Sequence, residues 1–99
     1  TATLMRVQPD AYGAETLTPL ATLTRVRVEP SATMTLTRDN TRVQLSALLL
    51  HDARHSLPSE VTFALGQRVV FEGKPYRVMT VEPMRDGRGL HHIEVGLLG

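Results

Sequence analysis

The chain contains no cysteine and no tryptophan, and only two tyrosines and two phenylalanines. The first absence excludes a disulfide framework and any thiolate metal site. The shortage of rings leaves a mostly aliphatic core and removes the base-stacking platform of a single-strand nucleic-acid binder. An excess of either charge is missing too: 11 Lys and Arg stand against 10 Asp and Glu, for a formal net charge of +1. That balance argues against diffuse electrostatic capture of nucleic acid or of an anionic membrane. No apolar run approaches the ~18 residues of a membrane span, and no basic segment followed by an apolar one opens the chain. Repeats, low-complexity tracts and linkers are absent as well. The 99 residues, 41% of them hydrophobic, read as one small domain over residues 1–99.

What is present is β pattern. Residues 67–99 carry three runs of β-branched and aromatic residues separated by two glycine-bearing turns, Glu72-Gly73-Lys74 and Asp86-Gly87-Arg88-Gly89. This predicts a three-stranded meander. Gly73 and Gly87 are expected at the reversals, at least one of them with positive φ. Tyr76, Val78 and Thr80 are expected to alternate with Arg77, Met79 and Val81. His91, Ile93, Val95 and Leu97 should share one face. Pro75 and Pro83 are expected at strand ends, where a missing N–H costs least.

Earlier in the chain, residues 2–7 form a short candidate strand, and 9–13 a turn. Residues 17–29 alternate as one longer Thr-rich strand, 33–37 as an edge strand, and Arg38-Asp39-Asn40 as a turn. Residues 41–55 fit two periods. A strand would place Val43, Leu45, Ala47 and Leu49 inward, whereas a helix would align Leu45, Leu48, Leu49 and Asp52. The strand is preferred through about His51, because its surroundings are β and a lone helix would need its own cover. Residues 52–66 are patternless, with Pro58, Ser56 and Ser59 marking a loop, and 61–65 either a short strand or a helical turn. The reading is all-β, with at most one short helical turn: a small antiparallel, barrel-like sheet of about six strands. Val43, Leu45, Leu49, Val69, Phe71, Tyr76, Val78, Val81, Ile93 and Val95 are expected to supply much of its core.

Few residues are arranged for chemistry. His51-Asp52-Ala53-Arg54-His55 echoes the helical H-E-x-x-H zinc site of hydrolases, but Asp is shorter than the Glu that must reach metal-bound water, and no third ligand follows. A plain polar turn is the simpler reading. His91 and His92 are adjacent on a strand, so their rings should point to opposite faces. No serine sits in a Gly-x-Ser-x-Gly elbow, and Gly87-Arg88-Gly89 has no helix after it to bind phosphate. The arginines at 25, 27, 38, 42 and 54 would make a basic face if gathered, but Glu29, Asp39, Asp52 and Glu60 interleave with them.

An ordered series of short motifs adds to this reading. It runs R-V-E-P (27–30), R-D-N-T (38–41), Q-L-S-A-L-L-L-H-D (44–52), then Ser56 and Pro58. It continues with G-Q-R-V-V-F-E-G-K-P-Y-R-V (66–78), V-E-P (81–83) and L-H-H-I-E-V-G-L-L (90–98). The series resembles the minor capsid proteins of tailed bacteriophages and prophages, the small head–tail connector proteins of the neck. The resemblance covers about residues 25–99, with Tyr12-Gly13 fitting more weakly.

It implies a virion protein, similar to stopper or head-completion proteins, that is not an enzyme and uses no cofactor and no metal. Such a protein would form a homo-oligomeric ring, six- or twelve-fold, beneath the portal. A portal or adaptor protein would lie on the head side and a tail protein on the other. Packaged DNA would pass through without sequence recognition, and no membrane would be involved. The implied locations are the virion neck and, during assembly, the host cytoplasm.

In that role the candidate interface or channel residues are Arg38, Asp39, Asn40, Arg42, Asp52, Arg54, His55, Ser56 and Glu60, on the segments 30–41 and 53–66. Both segments are longer than plain hairpin links. Residues 1–18 are a third candidate, as an extended amino-terminal arm. The alternatives are a metal-dependent hydrolase using His51 and His55, or a small β-barrel adaptor binding protein or nucleic acid.

Overall fold

The computed structural model describes residues 1–9, 11–36, 39–87 and 89–99. Asp10, Thr37, Arg88 and the interface candidate Arg38 lie outside the described residues. Among the described residues there is no helix, and nine strands follow in order. They are β1 (Ala2–Pro9), β2 (Glu15–Leu23), β3 (Arg27–Pro30), β4 (Met34–Leu36), β5 (Arg42–Gln44), β6 (Ala47–Asp52), β7 (Arg68–Phe71), β8 (Lys74–Asp86) and β9 (Gly89–Leu98). Seven form one antiparallel sheet in the order β2-β1-β7-β8-β9-β6-β3, and β4 and β5 form a separate hairpin.

The meander of residues 67–99 is present as β7, β8 and β9. Gly73 has φ 77° at the first reversal, while the positive φ of the second falls on Gly89 (116°) and not on Gly87. Residues 47–52 are strand, as preferred over helix, and the chain then turns at 53–55. Pro83 lies inside β8, not at its end. Beyond Arg77 only β9 flanks that strand, so a missing N–H there breaks no second ladder.

The sheet is not closed into a barrel, because its edge strands β2 and β3 do not pair. The expected strand over 17–29 is in fact both edges. Arg25 takes a left-handed φ of 56° and breaks the run, so β2 ends at Leu23 and β3 begins at Arg27 on the far side of the sheet. Six strand intervals of about 4.8 Å would set these edges about 29 Å apart if the sheet were flat. The link 24–26 spans at most about 14 Å. The sheet must therefore curl until its edges approach, which encloses one face.

Directly paired residues share a face, so the ladders define the enclosed core. Ala21, Leu4, Val69 and Tyr76 line up across β2, β1, β7 and β8. Val28, Leu49, Val95 and Val81 do so across β3, β6, β9 and β8. The buried cluster is Ala2, Leu4, Leu23, Ala47, Leu49, Phe63, Val69, Val78, Val95 and Leu97, with Phe71, Tyr76, Val81 and Ile93 partly buried against it. Phe63, from the segment without pattern, fills the core from outside the sheet.

Two expected core positions differ. Val43 is only half-buried, on the β4–β5 hairpin. Leu45 is buried, but on the opposite face. The chain bends at Ser46, and Leu45 packs where Gly96 lies on the outside of β9. The alternation expected along β8 also breaks. Met79 is an extra residue between the pairs Val78↔Leu97 and Thr80↔Gly96, so the inward set changes from Tyr76 and Val78 to Val81.

Residues 1–18 hold β1 and the start of β2. β1 lies between β2 and β7, and Ala2 and Leu4 are buried. Only beyond Met5 do β1 and β2 continue as a two-stranded extension, which β7 does not flank. The β4–β5 hairpin is a second such arm and the tip of β8–β9 a third. The envelope is elongated, 47 × 29 × 22 Å.

Gly96 provides a test of the outer packing. A Cβ there would fall on Thr80 Oγ1 and 2.7 Å from a Leu45 methyl carbon. Thr80 cannot turn away without ceasing to accept the Gly96 N–H at 3.1 Å. Gly96→Ala is expected to lower stability by about 1–3 kcal/mol, read as a lower denaturant midpoint. An unchanged midpoint would show that Leu45 does not pack there.

Candidate functional site

The candidate residues fall in two groups at opposite ends of the chain through β5 and β6. Asp39, Asn40 and Arg42 are exposed around the tip of the β4–β5 hairpin. Asn40 adopts φ 63°, which its short polar side chain tolerates. Asp39 Oδ1 accepts the Thr41 N–H at 3.3 Å, which steadies the turn. Arg42 lies opposite Leu36 in the ladder.

The second group surrounds the end of β6 and is more tightly connected. Asp52 Oδ1 accepts the N–H groups of Arg54 (2.7 Å) and His55 (3.1 Å), and the His55 ring lies 3.4 Å from the same oxygen. The Ser56 N–H reaches back to the Asp52 carbonyl. Arg54, His55 and Glu60 are exposed. Ser56 is not: it is 1% exposed. Its hydroxyl donates to the Arg25 carbonyl at 2.6 Å and accepts the Asp52 N–H at 2.9 Å. Next to it, Thr24 and Leu57 exchange two backbone hydrogen bonds of 2.9 Å. Thus the segment 53–66, expected as a surface for partners, is fastened along the gap between the sheet edges. Ser56 is a structural clamp.

The zinc reading of His51 and His55 does not survive this geometry. Residues 47–52 are extended and 53–55 form a turn, so no helical face brings the imidazoles together. His51 is 2% exposed, with its ring edge-on to Phe63. Its Nε2 lies 2.9 Å from the Pro58 carbonyl oxygen. A carbonyl only accepts, so this nitrogen carries a proton. His55 is outside, beside Asp52. Among the described residues, no three His, Cys, Asp or Glu side chains converge as a metal site.

The other histidine pair differs from expectation. His91 is an extra residue between the pairs Met84↔His92 and Arg85↔Leu90. Such a bulge suspends the strand alternation and re-aims side chains. The two rings therefore meet instead of pointing apart, with their Nδ1 atoms 2.7 Å from each other. One nitrogen donates and the other accepts. His92 Nε2 also lies 3.7 Å from Glu94, whose cross-strand neighbour is another acid, Glu82.

These elements enclose a cleft of about 490 Å³. β3 and the link before it contribute Arg25, Val26 and Arg27, β6 and its turn contribute Leu50, Asp52 and His55, and the bulge contributes His91 and His92. Two arginines and three imidazoles thus face one carboxylate, which backbone N–H groups and His55 already occupy. In the sequence Arg25 and Arg27 are two of five scattered arginines, and Arg27 opens the R-V-E-P motif. The left-handed residue that joins them to the histidines carries no sequence signal, because it is neither Gly nor Asn.

No protein-family model, curated protein or solved structure matches the chain.

Two outcomes test the clamp. Ser56→Ala would leave the Arg25 carbonyl and the Asp52 N–H without their partner and is expected to cost about 1–3 kcal/mol. The Asp52 carboxyl is held below its ordinary value, first by the Arg54 N–H; desolvation opposes this, and His55 adds to it. Its contribution to stability is therefore complete above the unfolded value of about 4 and is lost as pH falls through the lower folded value. Acid titration of unfolding should show a shallower decline in Asp52→Asn than in the wild type. Identical acid limbs would refute the role given to this carboxylate.

Proposed function

We propose that the chain is a structural component of the tailed-phage neck. In this reading it is one subunit of a homo-oligomeric ring, six- or twelve-fold, beneath the portal. The ring closes the DNA-filled head and offers the tail its attachment surface. The ordered motif series over residues 25–99 supplies the class. The observation that carries the reading is the apolar surface on the arms. Met34 is 55% exposed and Leu36 63%, side by side on β4, while Leu17 and Leu20 are exposed on the free edge strand β2. A ring subunit needs two different surfaces for its neighbours, and an unpaired strand edge together with an apolar hairpin suits that need. A portal or adaptor protein above, a tail protein below and DNA in the channel complete the proposal.

Particles assembled without this chain are expected to be filled heads that lose DNA and fail to join tails. Normal yields of infectious tailed particles would overturn the reading. Replacing Met34 and Leu36 together by Asp should leave the isolated chain cooperatively folded while excluding it from particles. Arg54→Glu, at an exposed turn position, should likewise spare the fold and lower tail joining. Normal incorporation of the Met34 and Leu36 double variant would remove the β4–β5 arm from the interface.

A further inference from the structure

We propose that the cleft between the β3 edge and the β9 bulge binds a phosphate oxyanion through Arg25, Arg27 and the His91–His92 pair. This goes beyond the neck reading and does not rest on it.

Four observations converge. Arg25 and Arg27 both line the cleft, and among the described residues neither guanidinium has an ion-pair partner. Free guanidinium forks match the geometry of phosphate oxygens. Arg25 holds a left-handed φ of 56°, a conformation that costs an ordinary side chain energy and that Gly would adopt freely. Its backbone is clamped there by Ser56, so an arginine is placed at the cleft although a glycine would suit the backbone better. Lastly, the bulge turns His91 towards His92, so that both rings line the same cleft and the His91 Nε2 is left without a partner among the described residues.

One carboxylate, Asp52, also lines the cleft. Its Oδ1 is engaged by the N–H groups of Arg54 and His55, and Glu94 lies 3.7 Å from His92 Nε2. Val26 and Leu50 supply apolar lining beside the two arginines, both of which are exposed to an incoming ligand. Two sources present this chemistry: a free phosphate ion and the phosphodiester of a nucleic-acid backbone.

The test uses the full chain, with binding followed by NMR as inorganic phosphate or a short DNA duplex is added at low salt. Arg25→Gly and Arg27→Gln are compared with Arg77→Gln, which removes one charge from an exposed position lining a different depression. Cooperative unfolding confirms that each variant is folded. Inorganic phosphate is expected to shift the signals of residues 25, 27, 91 and 92. Each cleft variant should weaken binding about tenfold, the effect of losing one charge-assisted contact, and Arg77→Gln should not. If the duplex binds at the same residues, its salt dependence should fall by about one counterion for each arginine removed, which identifies the backbone as the source. Binding of free phosphate without the duplex supports the site with a small ligand. Absence of binding by either probe overturns the proposal. So does wild-type affinity in folded Arg25→Gly and Arg27→Gln, or an equal loss in Arg77→Gln. The neck reading is judged separately, from particles, so either proposal can fail alone.

Discussion

The shape of this domain depends on a three-residue crossing. β2 and β3 are adjacent in sequence yet occupy opposite edges of a seven-stranded sheet. Residues 24–26 are too short to join the edges of a flat sheet, so curvature is imposed by chain connectivity. The two edges do not hydrogen-bond to each other. Instead the chain itself passes across, and the Ser56 hydroxyl and the Thr24–Leu57 bridge hold the crossing in place. The buried cluster lies inside that curl, and Phe63 enters it from the clamping segment. Small all-β domains have little interior relative to surface, which makes one long inserted ring and one satisfied hydroxyl matter more than in a larger protein.

The same crossing creates the charged cleft. Arg25 is the bend, Arg27 opens the next strand, and the Ser56 hydroxyl fixes the Arg25 carbonyl. The cleft is therefore a by-product of how the sheet is pulled round, lined where the clamp and the β9 bulge approach. Its two sides lie more than sixty residues apart in sequence. The features that join the two sides, a bulge and a left-handed residue, are properties of the backbone.

The sequence was most informative where regular alternation runs without interruption. The meander, the strand at 47–52 and the inward set Leu49, Val69, Val78 and Val95 all follow from period two and glycine-bearing turns. The alternation breaks where one residue alters the phase. Arg25 divided an apparent strand of 17–29, Met79 changed the inward set of β8, His91 brought two rings together, and Ser46 sent Leu45 to the outer face. None of the four is a glycine or proline, so composition gives no warning. The segment 53–66 lacks pattern for another reason. Its ties are single tertiary hydrogen bonds and one inserted ring, and these leave no periodic trace. A site assembled from such irregularities is correspondingly hard to foresee.

The position of β1 has a consequence for the order in which the domain is made. Its ladder partner on one side is the neighbouring β2, but on the other it is β7, some seventy residues later. A chain emerging from the ribosome can close the β1–β2 hairpin early and must then keep β1's other edge bare until residues 68–71 have appeared. The carboxyl-terminal meander, whose contacts are local, can form promptly once synthesised. Non-local pairing of this kind slows folding and leaves an open strand edge as a template for wrong partners. The amino-terminal half of this protein is thus the part most dependent on completion of the rest.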